Sequence, residues 1–464
     1  MISRELTFVE NFYRIRNEVK CYSNFQVCAE YSSTLSLELV CETLRQLVNK
    51  YSQFSQQVVL DEGEYRMKLI DGYTLGDVLE IVEDPTLNMA SYLMELNTRM
   101  FELGNNKPLW RVILLNKNKL IFYCEHILFD GTSGLNFHTK FKEIANSILT
   151  SQPTTLFRGM ETVLLETPYS LSLSLKATDI IDYRPSWTVL LKTVIESKLP
   201  KKWSKFILSY INGQFAGQLT EGSTYQRPDL NKKEIKFDHL VRILNIPQEK
   251  VSQLLAIARS HSVKFTALLY IILHLSLVDI LEVSDTKTSI PVNIRSQIDM
   301  QKATKLSPAY DPTFGLYMSG ITIHAPSLKL SRDSLGKSKK INWEFARQIQ
   351  SEIESSVPDS RMLIGLISYV DAEQFVKSSV VEPRSQTLEI SNLGSIKNPN
   401  NEDQIKIVDL LFNQPIGVSG YFECNVAGTD IGGVNLVLSG LAQLSDEFES
   451  FCRNAEKWIG FIVD

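Results

Sequence analysis

The stretch running from Leu120 through His126 and Asp130 to Gly134, LIFYCEHILFDGTSG, constrains this chain more than any other. An unbroken apolar run, Leu120 to Cys124, reads as a buried strand. Asp130 and Gly131 read as a turn. Leu135, His138, Phe141, Ile144, Ala145 and Ile148 then recur at helical spacing, so a helix is expected from Thr132 or Ser133. The unit also delivers an imidazole to a strand end beside an acid. Histidine is the side chain whose ordinary pKa lies near neutrality, so His126 is a candidate proton acceptor and Asp130 its candidate orienting carboxylate. The competing reading keeps His126 as a strand-end residue bonded to its own turn, with Asp130 and Gly131 as ordinary turn residues.

The same alternation of strands and helices recurs along the chain. The first half carries an apolar-periodic helix (Leu35 to Tyr51) and strands near Gln56 to Leu60 and Tyr65 to Ile70. A helix around Met89 to Leu103 and strands Trp110 to Leu115 and Leu120 to Glu125 follow. The second half opens on strand His239 to Leu244. Pro247 then starts a helix, a favoured place for proline, another helix begins near Thr266, and strand Thr288 to Val292 comes next. Pairing of strands with helices predicts an α/β protein built from two similar halves, 1–180 and 236–464, joined by a crossover segment, 181–235. At 464 residues and 44% hydrophobic, the chain is long enough to bury two sizeable cores.

Charge narrows the partners. A net charge of -5 argues against a nucleic-acid partner. Six cysteines, with no CxxC or Cys/His metal spacing, predict reduced thiols, no metal site and a cytoplasmic protein. Cys124, inside the apolar strand, is expected to be a small buried hydrophobe. The N-terminus is interrupted by charge and does not read as a secretory signal. The most apolar stretch, Ala267 to Val283, is broken by His274 and Asp279 and reads as a buried core helix.

Two amphipathic stretches leave a choice open. Trp187 to Ile211 interleaves Lys192, Lys198, Lys201, Lys202 and Lys205 with Val194, Leu199, Trp203 and Phe206. Phe448 to Val463, with Trp458, Ile459 and Phe461, has a similar pattern. Each is either a helix that packs its apolar stripe on the protein or a peripheral contact with a lipid surface.

Four further segments bear on function. Pro108 to Leu115 reads PLWRVILL; Ser289 to Arg295 reads SIPVNIR; Phe314 to Gly320 reads FGLYMSG; Leu388 to Gly394 reads LEISNLG. Together with the H-x-x-x-D-G of His126 to Gly131, they resemble the yeast alcohol acetyltransferase family. That family is a fungal branch of the CoA-dependent acyltransferase superfamily, with chloramphenicol acetyltransferase, the plant BAHD enzymes and peptide-synthetase condensation domains. The resemblance runs from Val9 to the last strands. It implies two mixed sheets flanked by helices, with an active-site tunnel at their interface. It also implies acetyl-CoA as donor, an acceptor bearing a hydroxyl or an amine, and a monomer.

In such a site His126 would be the general base. The resemblance turns the acid of the motif away from the substrate, so Asp130 would pair with an arginine and hold the loop, with Gly131. Arg295 is the first choice of partner and Arg111 the second. Ser391 and Asn392 end an apolar strand and would either donate to the developing oxyanion or satisfy a turn. His138 is expected to be packing or surface, and His324 has no acid at motif spacing. The run from Asp430 to Leu438 reads as a tight turn into a late strand. The D-F-G-W-G segment of the plant relatives has no match, so CoA-side residues are not carried over.

The first expectation is therefore an acetyl-CoA-dependent O- or N-acetyltransferase, with N-acetylation of long-chain amino-alcohol compounds as its narrower form. A thioester or ester hydrolase in which His126 activates water is a further alternative, with the missing Gly-x-Ser-x-Gly elbow counting against a serine hydrolase; a non-catalytic binding protein would not need both His126 and Asp130. Relatives that make volatile esters sit on lipid droplets through terminal amphipathic helices. No long extension flanks this chain, which leaves contact with the endoplasmic reticulum or droplets as the alternative to a purely cytoplasmic location.

Overall fold

Strand Lys119–Glu125 runs through the middle of a five-stranded sheet, and its apolar run follows from that position. Across the sheet the order is Ile407–Asn413, Asn24–Tyr31, Lys119–Glu125, Trp110–Leu115, Leu79–Val82. Leu120, Phe122 and Cys124 join a core shared with helices Leu37–Lys50 and Gly131–Leu149. Ile121 turns to the other face and meets Tyr92, Leu93 and Leu96 of helix Met89–Thr98. A strand covered on both faces must be apolar at successive positions and cannot alternate. These coordinates come from a computed structural model that describes residues 3–150, 157–166, 171–191, 238–281, 286–325, 341–381 and 384–463.

The second sheet has six strands, in the order His239–Ile246, Gly433–Leu441, Gly420–Thr429, Gln386–Ile396, Thr286–Asn293, Met318–Ala325. It is mixed, because Gln386–Ile396 runs parallel to both of its neighbours while the other pairs are antiparallel. Helices Gln248–Ser260 and Phe265–Leu281 supply Leu254, Leu268, Tyr270, Ile272 and Leu277 to its core. The molecule is thus an α/β protein of two lobes. Strand Ile407–Asn413, from late in the chain, leaves the second lobe and pairs antiparallel with Asn24–Tyr31 in the first.

Local chemistry accounts for most element ends. The helix expected from Thr132 or Ser133 starts at Gly131, because the Asp130 carboxylate accepts from the Ser133 N–H and serves as N-cap. Pro247 caps its helix from outside the first turn. The helix read as Met89 to Leu103 ends at Thr98, since Arg99 is extended and sends its guanidinium to Glu80 and Glu95.

Phe448, Phe451, Cys452, Ala455 and Ile459 of helix Ser445–Val463 are buried in the second core, with Trp458 packed against it and Phe461 exposed. Its apolar stripe therefore packs on the protein. The lysine-rich stretch lies outside the described residues beyond Leu191; at its start, Trp187 and Leu191 are exposed. Among the described residues no single helix is long and apolar enough to cross a membrane.

Candidate active site

The end of strand Lys119–Glu125 carries His126 into a cavity of about 530 Å³ whose walls come from both lobes. The backbone N–H of His126 donates to the Ser23 carbonyl at 2.7 Å, which extends the strand pairing by one residue. Its ring stacks on Tyr13 at 4.3 Å between centroids and meets Phe25 at 5.0 Å and the edge of Tyr22 at 5.7 Å. Aromatic walls hold the ring, and Nδ1 has no hydrogen-bond partner among the described residues. Burial pulls the imidazole down to about 4; Asp130 pulls the other way, and Arg16 adds to the lowering. The ring is neutral at pH 7.

Asp130 does not touch that ring. Its carboxylate takes five hydrogen bonds, from the Ser133 N–H (2.8 Å), the Ser133 hydroxyl (3.0 Å), Arg295 Nη1 (2.8 Å) and Nη2 (3.0 Å), and the Tyr317 N–H (2.8 Å). Burial alone would raise this carboxyl, but the Arg295 charge and these bonds hold it below the ordinary carboxylate range. Arg295 is fixed in turn by the Pro312 carbonyl at 2.8 Å and lies 5.0 Å over the Tyr317 ring. Arg111, the second candidate, spends Nη1 on the carbonyls of Pro108 and Trp110.

The receiving loop is as specific as the turn it holds. The Gly315 carbonyl accepts from the Asp130 N–H at 3.2 Å, and the Gly315 N–H donates to Ser133 Oγ at 3.1 Å. Gly315 has φ +148°, and a Cβ there would come 2.4 Å from the Tyr317 ring. A side chain would push apart the segment that grips Asp130. Gly131 is needed for space: a Cβ would sit 2.6 Å from Leu393 Cδ2, on the strand that forms the opposite wall.

Ser391 and Asn392 reach the same cavity from strand Gln386–Ile396. The Asn392 amide donates to Thr266 Oγ1 at 3.1 Å, and its oxygen accepts from the Gly394 N–H at 2.9 Å. Ser391 is buried and lines the wall. His138 lies elsewhere, on the buried face of its helix, and His324 is exposed on strand Met318–Ala325. The run after Asp430 is a turn into strand Gly433–Leu441, with Gly433 at φ +90°.

Sequence reading did not single out Tyr13, Arg16, Tyr22, Glu389, Gln414 or Glu423, all of which line the cavity. Tyr13 and Arg16 share a face of helix Phe8–Glu18, and nothing in their spacing pointed to His126. Glu389 and Glu423 left a trace, as charges inside otherwise apolar strands.

The sequence profile described as "Alcohol acetyltransferase" matches residues 5–69 and 81–460. "N-acetyltransferase SLI1" of Saccharomyces cerevisiae is 22% identical, covering 94% of this chain and 94% of that protein. "Alcohol O-acetyltransferase 2" of the same yeast is 22% identical over 99% of this chain and 95% of its own length. Among solved structures, the TRI3 trichothecene 15-O-acetyltransferase from Fusarium sporotrichioides superposes with a TM-score of 0.62 at 12% identity, covering 98% of this chain and 95% of that one. The two-lobed fold, the named relatives and a profile spanning nearly every residue lead to one conclusion: the chain belongs to the alcohol acetyltransferase family and is an acyltransferase.

Proposed function

We propose that this protein moves an acetyl group from acetyl-CoA to an alcohol hydroxyl or an amine, with His126 as general base. One observation carries the reading: a buried, neutral imidazole with an unpartnered ring nitrogen stands in a cavity shared by both lobes, while the neighbouring acid is fully occupied elsewhere. A thioester is already activated, so the transfer needs no covalent intermediate on the protein. It needs an acceptor atom stripped of its proton as it attacks. His126 accepts that proton and returns it to the departing sulfur. Tyr13 and Phe25 keep the ring aimed; Asp130, clamped by Arg295, holds the turn that ends the His126 strand and ties it to the second lobe. In this scheme 1–180 and 236–464 act as the two halves of one site.

Ser391 is our candidate donor to the oxyanion of the tetrahedral intermediate. Asn392 supports it, its amide being engaged by Thr266 and the Gly394 turn. Pure protein incubated with acetyl-CoA and a panel of alcohols and amines, with thiol release as readout, tests the reading. Initial-rate lines at several acceptor concentrations should intersect, as for a ternary complex. Parallel lines, together with stoichiometric acetylation of the protein by acetyl-CoA alone, would replace it with a ping-pong route.

A further inference from the structure

The cavity of His126 also holds a pair of acids that transfer to a neutral hydroxyl does not require. Glu389 and Glu423 are register partners on adjacent parallel strands, so their side chains stand next to each other in the cavity. One amide serves both: Gln414 Nε2 donates to Glu389 Oε1 at 3.1 Å and to Glu423 Oε1. The Tyr22 hydroxyl donates to Gln414 Oε1 and so keeps the NH₂ end toward the acids. Arg16 is close enough to attract Glu389, yet its guanidinium lies 4.5 Å over the Tyr22 ring, and among the described residues it makes no ion pair with either acid. Two carboxyls therefore face one arginine. Burial raises both above the ordinary carboxylate range, Glu423 further through the charge of Glu389, with Arg16 pulling both the other way.

The acids do not stand alone. The His126 ring, 4% exposed and with Nδ1 unpartnered, shares their cavity, and Tyr22 links the two, its ring against His126 and its hydroxyl on the Gln414 amide that serves both acids. A coupled acid pair beside an imidazole gives the cavity two places to put a proton, which fits an ammonium acceptor.

We infer that Glu389, supported by Glu423, recognises the ammonium group of an amine acceptor and takes from it the first of the two protons that N-acetylation removes. This rests on the acetyltransferase reading above. An alcohol loses one proton on acylation, and a single imidazole handles it. An ammonium must lose two. The first passes to a carboxylate of the pair, giving a free amine and a carboxylic acid. The nitrogen lone pair then forms the C–N bond to the thioester carbonyl, His126 takes the second proton, and the C–S bond breaks as sulfur leaves with its electron pair. His126 protonates that sulfur, and the carboxylic acid releases its proton to solvent. The products are an amide, free thiol and one proton. A carboxyl raised toward neutrality accepts from an ammonium more readily than an ordinary one.

The test uses octylamine and 1-octanol, which differ only in the acceptor group, with acetyl-CoA and the full chain. Wild type should favour the amine. Glu389→Gln and Glu423→Gln, near-isosteric and checked for folding by circular dichroism, should lower the amine-to-alcohol ratio of kcat/KM on the order of ten- to hundredfold, the loss of a charge-assisted hydrogen bond. The main effect of Glu389→Gln should be on KM for the amine and on its pH dependence. An unchanged ratio in both variants overturns this inference while leaving the acetyltransferase reading intact. Activity on either acceptor that survives His126→Ala in a folded protein sinks that reading instead. Calorimetric titration with octylammonium needs no turnover: binding no tighter than that of octanol, or equal in wild type and Glu389→Gln, also overturns the inference.

Discussion

His126 and His138 belong to the same strand–helix unit, are both buried, and are both pulled down to about 4 by that burial. Their partners differ. The Nε2–H of His138 donates to the Val27 carbonyl at 2.8 Å, and its Nδ1 accepts from the Tyr31 hydroxyl at 2.9 Å. That ring is a strut between helix Gly131–Leu149 and strand Asn24–Tyr31. The His126 ring is held by aromatic faces, has no hydrogen-bond partner at Nδ1 among the described residues and lines a cavity. A shifted proton affinity therefore reports burial in both cases. What sets His126 apart is an unpartnered Nδ1 and a ring that lines a cavity.

The largest expected effect separates the two directly. His126→Ala should lower kcat/KM by about a hundred- to ten-thousandfold, with little change in melting temperature. His138→Ala should do the reverse, costing about 2–4 kcal/mol in denaturant unfolding for two buried bonds and a cavity, with the folded fraction still active. Equal behaviour of the two variants in both assays would erase the distinction.

Next comes the clasp on the turn that follows His126. Removing one partner of a buried pair costs about 3–5 kcal/mol, so Asp130→Asn and Arg295→Ala should each destabilise markedly. The double variant should lose much less than the sum, because the two residues are bonded bidentately. Additive losses would mean that the Gly315 and Tyr317 backbone groups alone hold the turn.

A pH profile sharpens the comparison further. Because His126 must be neutral to act, kcat/KM for an alcohol should fall as acid only as pH drops toward about 4, with no limb near 6.5. Stability should follow the same sign. His126, His138 and His274 are all pulled down to about 4, so the folded state binds fewer protons than the unfolded chain between there and about 6.5. Unfolding free energy should decline as pH falls through that window. His138→Phe should shrink the slope by up to one proton.

A further pH effect has the opposite sign. Burial raises Glu125, next to His126, to about 8, against hydrogen bonds from Asn17 and Ser23. The folded state therefore holds an extra proton above the ordinary Glu range, and stability drains as pH rises from about 4.5 toward 8. Glu125→Gln should flatten that decline in melting temperature between pH 5 and 9. An unchanged slope would mean that water reaches this carboxyl.

Much of the site was legible along the chain because its pieces are local. The strand, its terminal histidine, the capping acid and the glycine lie within one short run, where period and turn chemistry speak plainly. The segment ending in Arg295 was legible through a motif, and its guanidinium meets Asp130 in space. Gly315 and Tyr317 were quoted within a motif, yet their grip on Asp130 is made by backbone groups, which leave no mark in side-chain identity. Glu389 and Glu423 were hidden because a charge in an apolar strand is uninformative until its cross-strand neighbour is known.

The sequence by itself determined the elements and the residue types they carry: alternating strands and helices, an imidazole at a strand end, an acid at a helix cap. Those follow from interactions within a few residues. Tertiary structure decided which groups share a volume. It joined strand Ile407–Asn413 to the first lobe's sheet, brought Arg295 against the Asp130 turn, and set the acidic pair in the cavity of His126. Burial, and with it every large shift in proton affinity, comes from atoms distant in sequence and near in space. That is why the reactive state of His126 belongs to the fold.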